Sequence, residues 1–222
     1  MKKMINKIYN YVIDIIFPAN LKSREKDEIV LDIAKLSEHQ GDKVIKYPCL
    51  AYSFFAYKNK AVRNMIWRLK YQGNKDIAQI FALKMYDRLC EELAELDGWS
   101  NFKKPILIPI PVSKHKRRVR GFNQSEAICK ALSNIDEDRF FHYVPNVLYK
   151  IKDTVSQSHV KDRHVRLKNL KDSFNIKDIS VIRNKNIILL DDVLTTGSTL
   201  NEATRTLQKA GVNNIIWVVV AH

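Results

Sequence analysis

A short segment near the C-terminus, residues 187–199, holds the residue types best suited to binding chemistry. An apolar run from Ile187 to Leu190 leads into two adjacent acids, Asp191 and Asp192. A turn rich in hydroxyl groups follows, before helical periodicity begins at Leu200. Ligands of open α/β sheets bind where strands end in this way. The segment therefore predicts a ligand site at the end of a buried strand.

The turn after the acids is suited to a phosphate group. Backbone N–H groups at the start of a helix converge on phosphate, and hydroxyl side chains add further donors. Gly197 lets the main chain approach the bound group closely. Because charge-assisted hydrogen bonds are each worth roughly 1.5–3 kcal/mol, a few of them suffice. The residues that we expect to contact the phosphate are Thr195, Thr196, Gly197, Ser198 and Thr199.

The two acids would repel a phosphate if they faced it. We therefore expect Asp191 and Asp192 to face ribose hydroxyls, or a Mg²⁺ ion beside them. An acidic pair after a strand also occurs in Walker B segments, in phosphoacceptor sites and in turns that bind nothing. The chain has no GxxxxGK[ST] sequence, which argues against the first alternative. A phosphoacceptor site leaves the hydroxyl-rich turn unexplained.

A basic segment follows another predicted strand end, at Pro111. From Lys103 to Arg120 there are seven Lys or Arg residues and no acid. Such a cluster could neutralise a departing pyrophosphate or bind nucleic acid, and a solvated basic loop is the third possibility. The candidates for contacts with nucleic acid are Lys114, Lys116, Arg117 and Arg118.

The elements that must position these segments alternate along the chain. The predicted strands are 50–57, 106–110, 147–151, 187–190 and 215–221. The predicted helices are 61–69, 77–93, 124–132 and 200–210. Strands that alternate with helices predict an α/β fold with a mainly parallel sheet flanked by helices.

The N-terminal residues differ from the rest. Apolar positions from Ile5 to Phe17 recur at helical spacing and stop at Pro18, and residues 20–48 are polar. We therefore expect a helical extension or cap over residues 1–48 and one main domain over residues 49–222. Because polar residues interrupt the first apolar positions, the sequence predicts neither an export signal nor a membrane span.

The composition narrows the class of protein. A net charge of +14 attracts polyanions such as nucleotides, pyrophosphate or nucleic acid. A hydrophobic content of 45% with 28% charged residues excludes wholesale disorder. The three cysteines lie far apart and form no CxxC, so neither a zinc ribbon nor a disulfide framework is predicted. This usage favours the reducing cytoplasm.

Three segments together resemble a known family. Residues 187–199 are similar to the phosphoribosyl pyrophosphate (PRPP) signature of type I phosphoribosyltransferases, with an apolar strand, two acids, an apolar pair and Thr-Thr-Gly-x-Thr. Arg120-Gly121-Phe122-Asn123-Gln124 is the element specific to the ComF family of competence-associated, phosphoribosyltransferase-like proteins. The resemblance runs from about Tyr52 to His222. Its other matching residues are Leu69, Lys70, Tyr71, Gly73, Thr154, Gln157, Arg163 and Asn169.

The resemblance implies a type I phosphoribosyltransferase fold with a small flexible hood. Asp191 and Asp192 would hold the ribose hydroxyls of PRPP, with Mg²⁺ near them, and Thr195 to Thr199 would hold its 5-phosphate. The pyrophosphate loop would consist of Val112, Ser113 and Lys114. The hood, residues 152–163, would act through Thr154, Gln157 and Arg163, and the candidate catalytic residues are Asp191, Asp192 and Arg120.

The implied function is Mg²⁺-dependent transfer of a phosphoribosyl group to a nitrogen nucleophile, with release of pyrophosphate, linked to DNA uptake in competence. The alternative is a non-catalytic protein of the transformation machinery that keeps the PRPP pocket and binds nucleotides or single-stranded DNA, with or without other competence proteins. A base-salvage enzyme outside the family leaves Arg120 to Gln124 unexplained. The sequence identifies neither the acceptor nor the oligomeric state, a homodimer included.

The chain departs from the family pattern at its N-terminal end. Many ComF proteins begin with a zinc module of paired cysteines, whereas residues 18–48 contain no cysteine. We therefore predict no protein-bound zinc in this segment.

Overall fold

Nearly continuous apolar runs form strands that are buried on both faces. All seven residues of Ile215–Ala221 are buried, as are the first four of Ile187–Val193. This pattern is typical of a parallel sheet covered by helices on each side. The structure is a computed structural model that describes residues 29, 31–33, 36, 43–44, 47–151 and 172–222.

Strands and helices alternate through most of the described residues. The strands are β1 (Lys43–Val44), β2 (Ala51–Phe55), β3 (Ile106–Pro109), β4 (His142–Tyr143), β5 (Leu148–Lys150), β6 (Phe174–Ile176), β7 (Ile187–Val193) and β8 (Ile215–Ala221). The helices discussed below are α1 (Lys60–Tyr71), α2 (Asp76–Ser100), α3 (Lys114–Arg120), α4 (Gln124–Ile135) and α5 (Ser198–Lys209).

The main sheet has the order β1-β2-β8-β7-β3-β4. Every neighbouring pair is parallel except β1 with β2, which is antiparallel. From β3 the chain passes through α4 to β4 on one side, whereas from β7 it passes through α5 to β8 on the other. The gap between β7 and β3 is therefore a topological switch point, where ligands of open α/β sheets bind.

Helices pack against both faces of the sheet. One face carries α1, α2 and α4, which contribute buried residues such as Met65, Phe81 and Ile128. The other face carries α5, through Leu200, Ala203 and Leu207, and the hairpin of β5 and β6. The predicted α/β fold with a mainly parallel sheet is thus confirmed.

Each strand and helix predicted from residue 50 onward is present; the strand 215–221 has its predicted bounds, and the bounds of the others are shifted. The prediction ended the strand of the acids at Leu190, but β7 continues to Val193, because Asp191 and Val193 pair with Val219 and Ala221 of β8. By contrast, β3 ends at Pro109, opposite Leu190. The two acids therefore lie on a strand that extends beyond its neighbour β3.

Some predictions concern residues outside the described part of the chain. These are the helix expected over residues 5–17 and the hood with Thr154, Gln157 and Arg163. Within the assigned extension, Ile29, Ile33 and Leu36 are buried in the core, and β1 pairs with β2; the domain boundary at residue 48 stays a prediction. Among the helices of the described residues, none has both the length and the apolarity needed to span a membrane.

Candidate functional site

The acid pair lies at the carboxyl end of β7 and is held by two other elements. Ser125, at the start of α4, donates a hydrogen bond of 3.0 Å from its Oγ to Oδ1 of Asp191. The same oxygen accepts the backbone N–H of Asp192 at 2.9 Å. The Nζ of Lys70, in the last turn of α1, lies 2.8 Å from Oδ2 of Asp192. Both carboxylates are therefore fixed in direction by the protein.

The two acids differ electrostatically. Burial, and the neighbouring charge of Asp192, raise the pKa of Asp191 from 3.8 to about 7. The backbone N–H of Asp192, the charge of Lys70 and the hydrogen bond from Ser125 act in the opposite direction. At neutral pH Asp191 thus populates both protonation states, and a ligand that donates a hydrogen bond to it favours the charged form.

Three cations surround the acid pair. Burial alone would lower the pKa of Lys70, but the charge of Asp192 and its hydrogen bond outweigh burial, so the pKa is raised. The pKa of Lys116 is lowered, first by burial and then by the charges of Arg120 and Lys70. The three cations, Lys70, Lys116 and Arg120, outnumber the two acids at this sheet edge, so its charge balance is positive. The edge therefore suits a polyanion.

The hydroxyl-rich turn leads directly into α5. Gly197 is the N-cap with a φ of 70° and has no side chain to cap the helix; the backbone N–H of Ser198 makes only a long hydrogen bond, 3.5 Å, to the Thr196 hydroxyl. The hydroxyls of Thr196 and Ser198 lie 2.8 Å apart, Thr195 is exposed, and Thr199 is half-buried. With no acid in the first turn of α5, this helix start is suited to bind an anion through its backbone N–H groups.

Aromatic rings pack behind the turn. A Cβ added to Gly197 would lie 2.6 Å from Cε1 of Tyr47 and 3.4 Å from Cζ3 of Trp217. The rings of Tyr47 and Trp217 are themselves in contact, with centroids 5.1 Å apart. Trp217 is anchored in turn by a hydrogen bond from its indole N–H to the Thr204 hydroxyl, at 2.8 Å. Close packing and backbone conformation thus both require glycine at position 197.

The basic segment after Pro111 forms a helix, α3, whereas the sequence predicts a loop there. The Ser113 side chain caps α3 by accepting the backbone N–H of Lys116 at 3.2 Å, and the helix ends at Gly121 with a φ of 78°. Between these caps the sequence has neither Gly nor Pro to break the helix. Of the predicted pyrophosphate loop, Val112 is half-buried, Ser113 is this buried cap, and Lys114 is the exposed first residue of α3.

The predicted nucleic-acid residues lie along α3, none of whose seven residues is buried. Lys114, Arg117 and Arg118 are exposed, and Lys116 is half-buried toward the acid pair. Arg117 also forms an ion pair of 3.2 Å with Glu126 on α4. The helix therefore presents Lys116 to the acid pair, and Lys114, Arg117 and Arg118 to solvent.

The Arg120 to Gln124 element connects the basic helix to the acid pair. Arg120 donates a hydrogen bond of 2.9 Å to Gln124, and its guanidinium lies 5.4 Å from the ring centre of Tyr71. Asn123 donates to the carbonyl of Ile110 at 2.9 Å and caps α4 by accepting the backbone N–H of Ser125. This cap ties the start of α4 to the end of β3, and so places Ser125 beside Asp191.

Sequence reasoning selected the acids, the turn and the cations, but it missed three residues that position them. Lys70 stood only in the family pattern, without a role. Ser125 had no signal beyond its place next to that pattern. Tyr47 lay in the segment assigned to the extension, and nothing in the sequence related it to Gly197.

Comparison with known proteins gives the family. Residues 143–222 match the model of the phosphoribosyl transferase domain. Competence protein F of Haemophilus influenzae is 33% identical over 69% of this chain and 65% of its own length. Competence protein ComFC of Streptococcus pneumoniae is 31% identical over 73% of this chain and 64% of its own length. The chain thus spans just under two thirds of these relatives.

Solved structures include a hypoxanthine phosphoribosyltransferase from Staphylococcus aureus, which superposes with a TM-score of 0.34 at 17% identity, over 64% of this chain and 62% of the other. A likeness this weak adds nothing to the assignment. The domain match, the competence relatives and the parallel sheet agree with the sequence resemblance. The chain is a homologue of the ComF competence proteins, and it has the α/β fold of the type I phosphoribosyltransferases.

Proposed function

We propose that the chain binds PRPP at the carboxyl edge of β7. Asp191 and Asp192 accept hydrogen bonds from the ribose hydroxyls, and the turn from Thr195 to Thr199 binds the 5-phosphate. The observation that carries this proposal is the continuity of β7, the turn and α5 at a switch point of the sheet. That continuity sets two carboxylates and a helix start whose N-cap is glycine at the two ends of one short segment, as a sugar phosphate requires.

We assign to the protein the transfer of a phosphoribosyl group to a nitrogen nucleophile. The bond from C1 of ribose to the pyrophosphate oxygen breaks, a bond from C1 to nitrogen forms, and pyrophosphate leaves. Negative charge develops on the leaving group, and cations fixed nearby stabilise it. Lys116 and Arg120 are the candidates for this role. The charge of Lys116 interacts with Asp191 and Asp192, and the charge of Arg120 interacts with Lys70 beside them.

The loop and the hood complete this proposal. Val112, Ser113 and Lys114 would contact the pyrophosphate from the short connection between β3 and α3. Thr154, Gln157 and Arg163 would close over the substrate, which excludes water and so limits hydrolysis. The hood assignment rests on the family resemblance.

Mg²⁺ fits this site as an ion that arrives with the substrate. Asp191 and Asp192 offer the oxygen ligands that Mg²⁺ prefers. Among the described residues, however, no group of three or more His, Cys, Asp or Glu comes together. Water and substrate oxygens would therefore fill the other coordination positions. When bound, the ion would neutralise charge on the pyrophosphate.

Calorimetric titration with PRPP tests the binding step. Replacing both acids, Asp191→Asn with Asp192→Asn, should weaken binding at least about tenfold, because each lost charge-assisted hydrogen bond is worth about 1.5–3 kcal/mol. Asp87→Asn, on the exposed face of α2, is the matched control and should bind as the wild type does. A folded wild type without affinity for PRPP, or an unchanged affinity in the double variant, would refute the proposal.

A second candidate function, binding of single-stranded DNA, is favoured by the exposed basic helix α3. Five of its seven residues are Lys or Arg. Binding to phosphates releases counterions, so the affinity should fall as the salt concentration rises. In a plot of log K against log salt concentration, each phosphate contact should contribute about −0.7 to the slope. Arg117→Ala with Arg118→Ala should reduce both the affinity and that slope, whereas Lys84→Ala with Lys130→Ala, which removes the same charge elsewhere, should not.

Release of pyrophosphate separates the two functions. A nitrogen acceptor that releases pyrophosphate from PRPP, with the release lost on Asp192→Asn and kept on Arg117→Ala, supports transfer. Salt-sensitive DNA binding without release from any tested base supports the second function.

A further inference from the structure

A lysine from outside the strand, turn and helix of the binding site reaches into its centre. Lys70 belongs to the last turn of α1, and its side chain is only 21% exposed. Its Nζ lies 2.8 Å from Oδ2 of Asp192, whose side chain is 12% exposed. A buried ammonium group is costly unless an opposite charge and hydrogen bonds compensate it. The placement of Lys70 is therefore specific to the acid pair.

The position of this ammonium group matters because two adjacent carboxylates repel each other and repel an incoming phosphate. A cation beside them removes that repulsion, and a divalent metal is the usual means. Here the protein already provides one positive charge, in direct contact with Asp192. The other oxygen of Asp192, Oδ1, and both oxygens of Asp191 lie outside this ion pair.

We infer that Lys70 is a positioning residue that acts as a permanent counter-ion of the acid pair, so that the ribose 5-phosphate part of the ligand binds without a divalent metal. This inference rests on the proposed function. Mg²⁺ then acts on the pyrophosphate alone. Binding of the sugar phosphate at the acid pair requires a metal ion only when the charge of Lys70 has been removed.

The surrounding charges support this division of roles. Lys116 and Arg120 lie close enough to Lys70 for the three charges to act on one another. Only Lys70 forms an ion pair with Asp192 in the described residues. Lys116 and Arg120 belong to α3 and its family element, next to the predicted pyrophosphate loop. They would act on the leaving group, whereas Lys70 acts on the sugar side.

Ribose 5-phosphate is the probe that isolates the acid pair, because it carries the sugar and the phosphate but no pyrophosphate to bring Mg²⁺. Its affinity is measured by calorimetry in EDTA and in excess MgCl₂, for the wild type and for Lys70→Met. The exposed Lys84→Met is the matched control for loss of one positive charge. Thermal unfolding of each variant establishes that it is folded at the assay temperature.

We expect the wild type and Lys84→Met to bind ribose 5-phosphate equally, within about twofold, in EDTA and in MgCl₂. Lys70→Met should bind at least about tenfold more weakly in EDTA, and MgCl₂ should restore most of that loss, because the metal replaces the missing charge. A purely structural role of Lys70 would weaken binding in both buffers alike. If Lys70→Met does not fold, Lys70→Arg, which keeps the charge, should bind in EDTA within about threefold of the wild type.

Three results would overturn the inference: a wild type that binds ribose 5-phosphate only with Mg²⁺, a folded Lys70→Met that keeps its affinity in EDTA, or a loss that MgCl₂ does not restore. None of these three results contradicts the proposed function. A wild type that binds neither PRPP nor ribose 5-phosphate in either buffer would instead refute the proposed function itself.

Discussion

Replacing Gly197 by alanine perturbs the turn from Thr195 to Thr199 at a crowded point. The new Cβ would lie 2.6 Å and 3.0 Å from two carbons of the Tyr47 ring and 3.4 Å from Trp217. The residue also has a φ of +70°, in the left-handed region that alanine disfavours. Two independent costs therefore act at one position.

The two costs can be separated with a second glycine. The left-handed conformation costs a non-glycine residue roughly 1–2 kcal/mol, and forcing an aromatic ring aside adds about 1–3 kcal/mol. Gly197→Ala should therefore lower the free energy of unfolding by about 2–5 kcal/mol. Gly121 has a φ of +78°, but its added Cβ would meet nothing within 4 Å. Gly121→Ala should thus lower the free energy of unfolding only by the cost of the left-handed conformation.

Urea denaturation followed by tryptophan fluorescence measures both variants. For a chain of this size, each kcal/mol corresponds to a shift of about 2–4 °C in Tm, so a thermal scan gives an independent reading. Tyr47→Ala combined with Gly197→Ala removes the ring that the new Cβ meets, and should recover part of the excess loss. Should Gly197→Ala lose no more stability than Gly121→Ala, Tyr47 does not pack against the turn in solution.

Three further predictions concern stability and reactivity. Asp136→Ala should cost about 3–5 kcal/mol in urea denaturation, because the buried Asp136 carboxylate accepts the Tyr86 hydroxyl and two backbone N–H groups; Asp138→Ala is the exposed control. Because the pKa of Asp191 is raised, the free energy of unfolding of the wild type should fall as pH rises from about 4 through about 7. The free energy of unfolding of Asp191→Asn should therefore be about 2–4 kcal/mol higher than that of the wild type at about pH 8 and equal to it near about pH 4. Equal free energies of unfolding at both pH values would contradict the assigned burial of Asp191. Burial raises the pKa of the thiols of Cys49, Cys90 and Cys129. A thiol reagent should therefore label these cysteines slowly in the folded chain at about pH 8, and fully in the unfolded chain.

Much of the fold could be predicted because its signals are local. The apolar runs of β7 and β8 are long, uninterrupted and rich in branched residues, which is the pattern of strands buried on both faces. The order of the strands could not be predicted in the same way. The first long strand, β2, pairs with the last one, β8, and β4 is too short, at two residues, to give a pattern. Pairing of this kind depends on contacts across most of the chain.

The same division between local and distant signals applies to the site. Asp191, Asp192 and the turn are adjacent in sequence, so their chemistry could be predicted together. The partners that orient them are remote: Ser125 lies 66 positions from Asp191, and Tyr47 lies 148 positions from Thr195, whose carbonyl its hydroxyl approaches at 3.4 Å. The helix of the basic segment was missed for a different reason. Its caps, Ser113 and Gly121, are local signals, but both residue types are equally common in loops.

The family-specific element acquires a physical meaning from these contacts. Asn123 joins the end of β3 to the start of α4, and this joint sets Ser125 on Asp191. Arg120 extends the same element toward α1, where its guanidinium lies over the ring of Tyr71, the neighbour of Lys70. The element thus fixes the residues that we propose to face the sugar and the pyrophosphate. Since every acceptor would meet the same sugar phosphate, we expect changes in this element to alter affinity for PRPP and not the choice of acceptor.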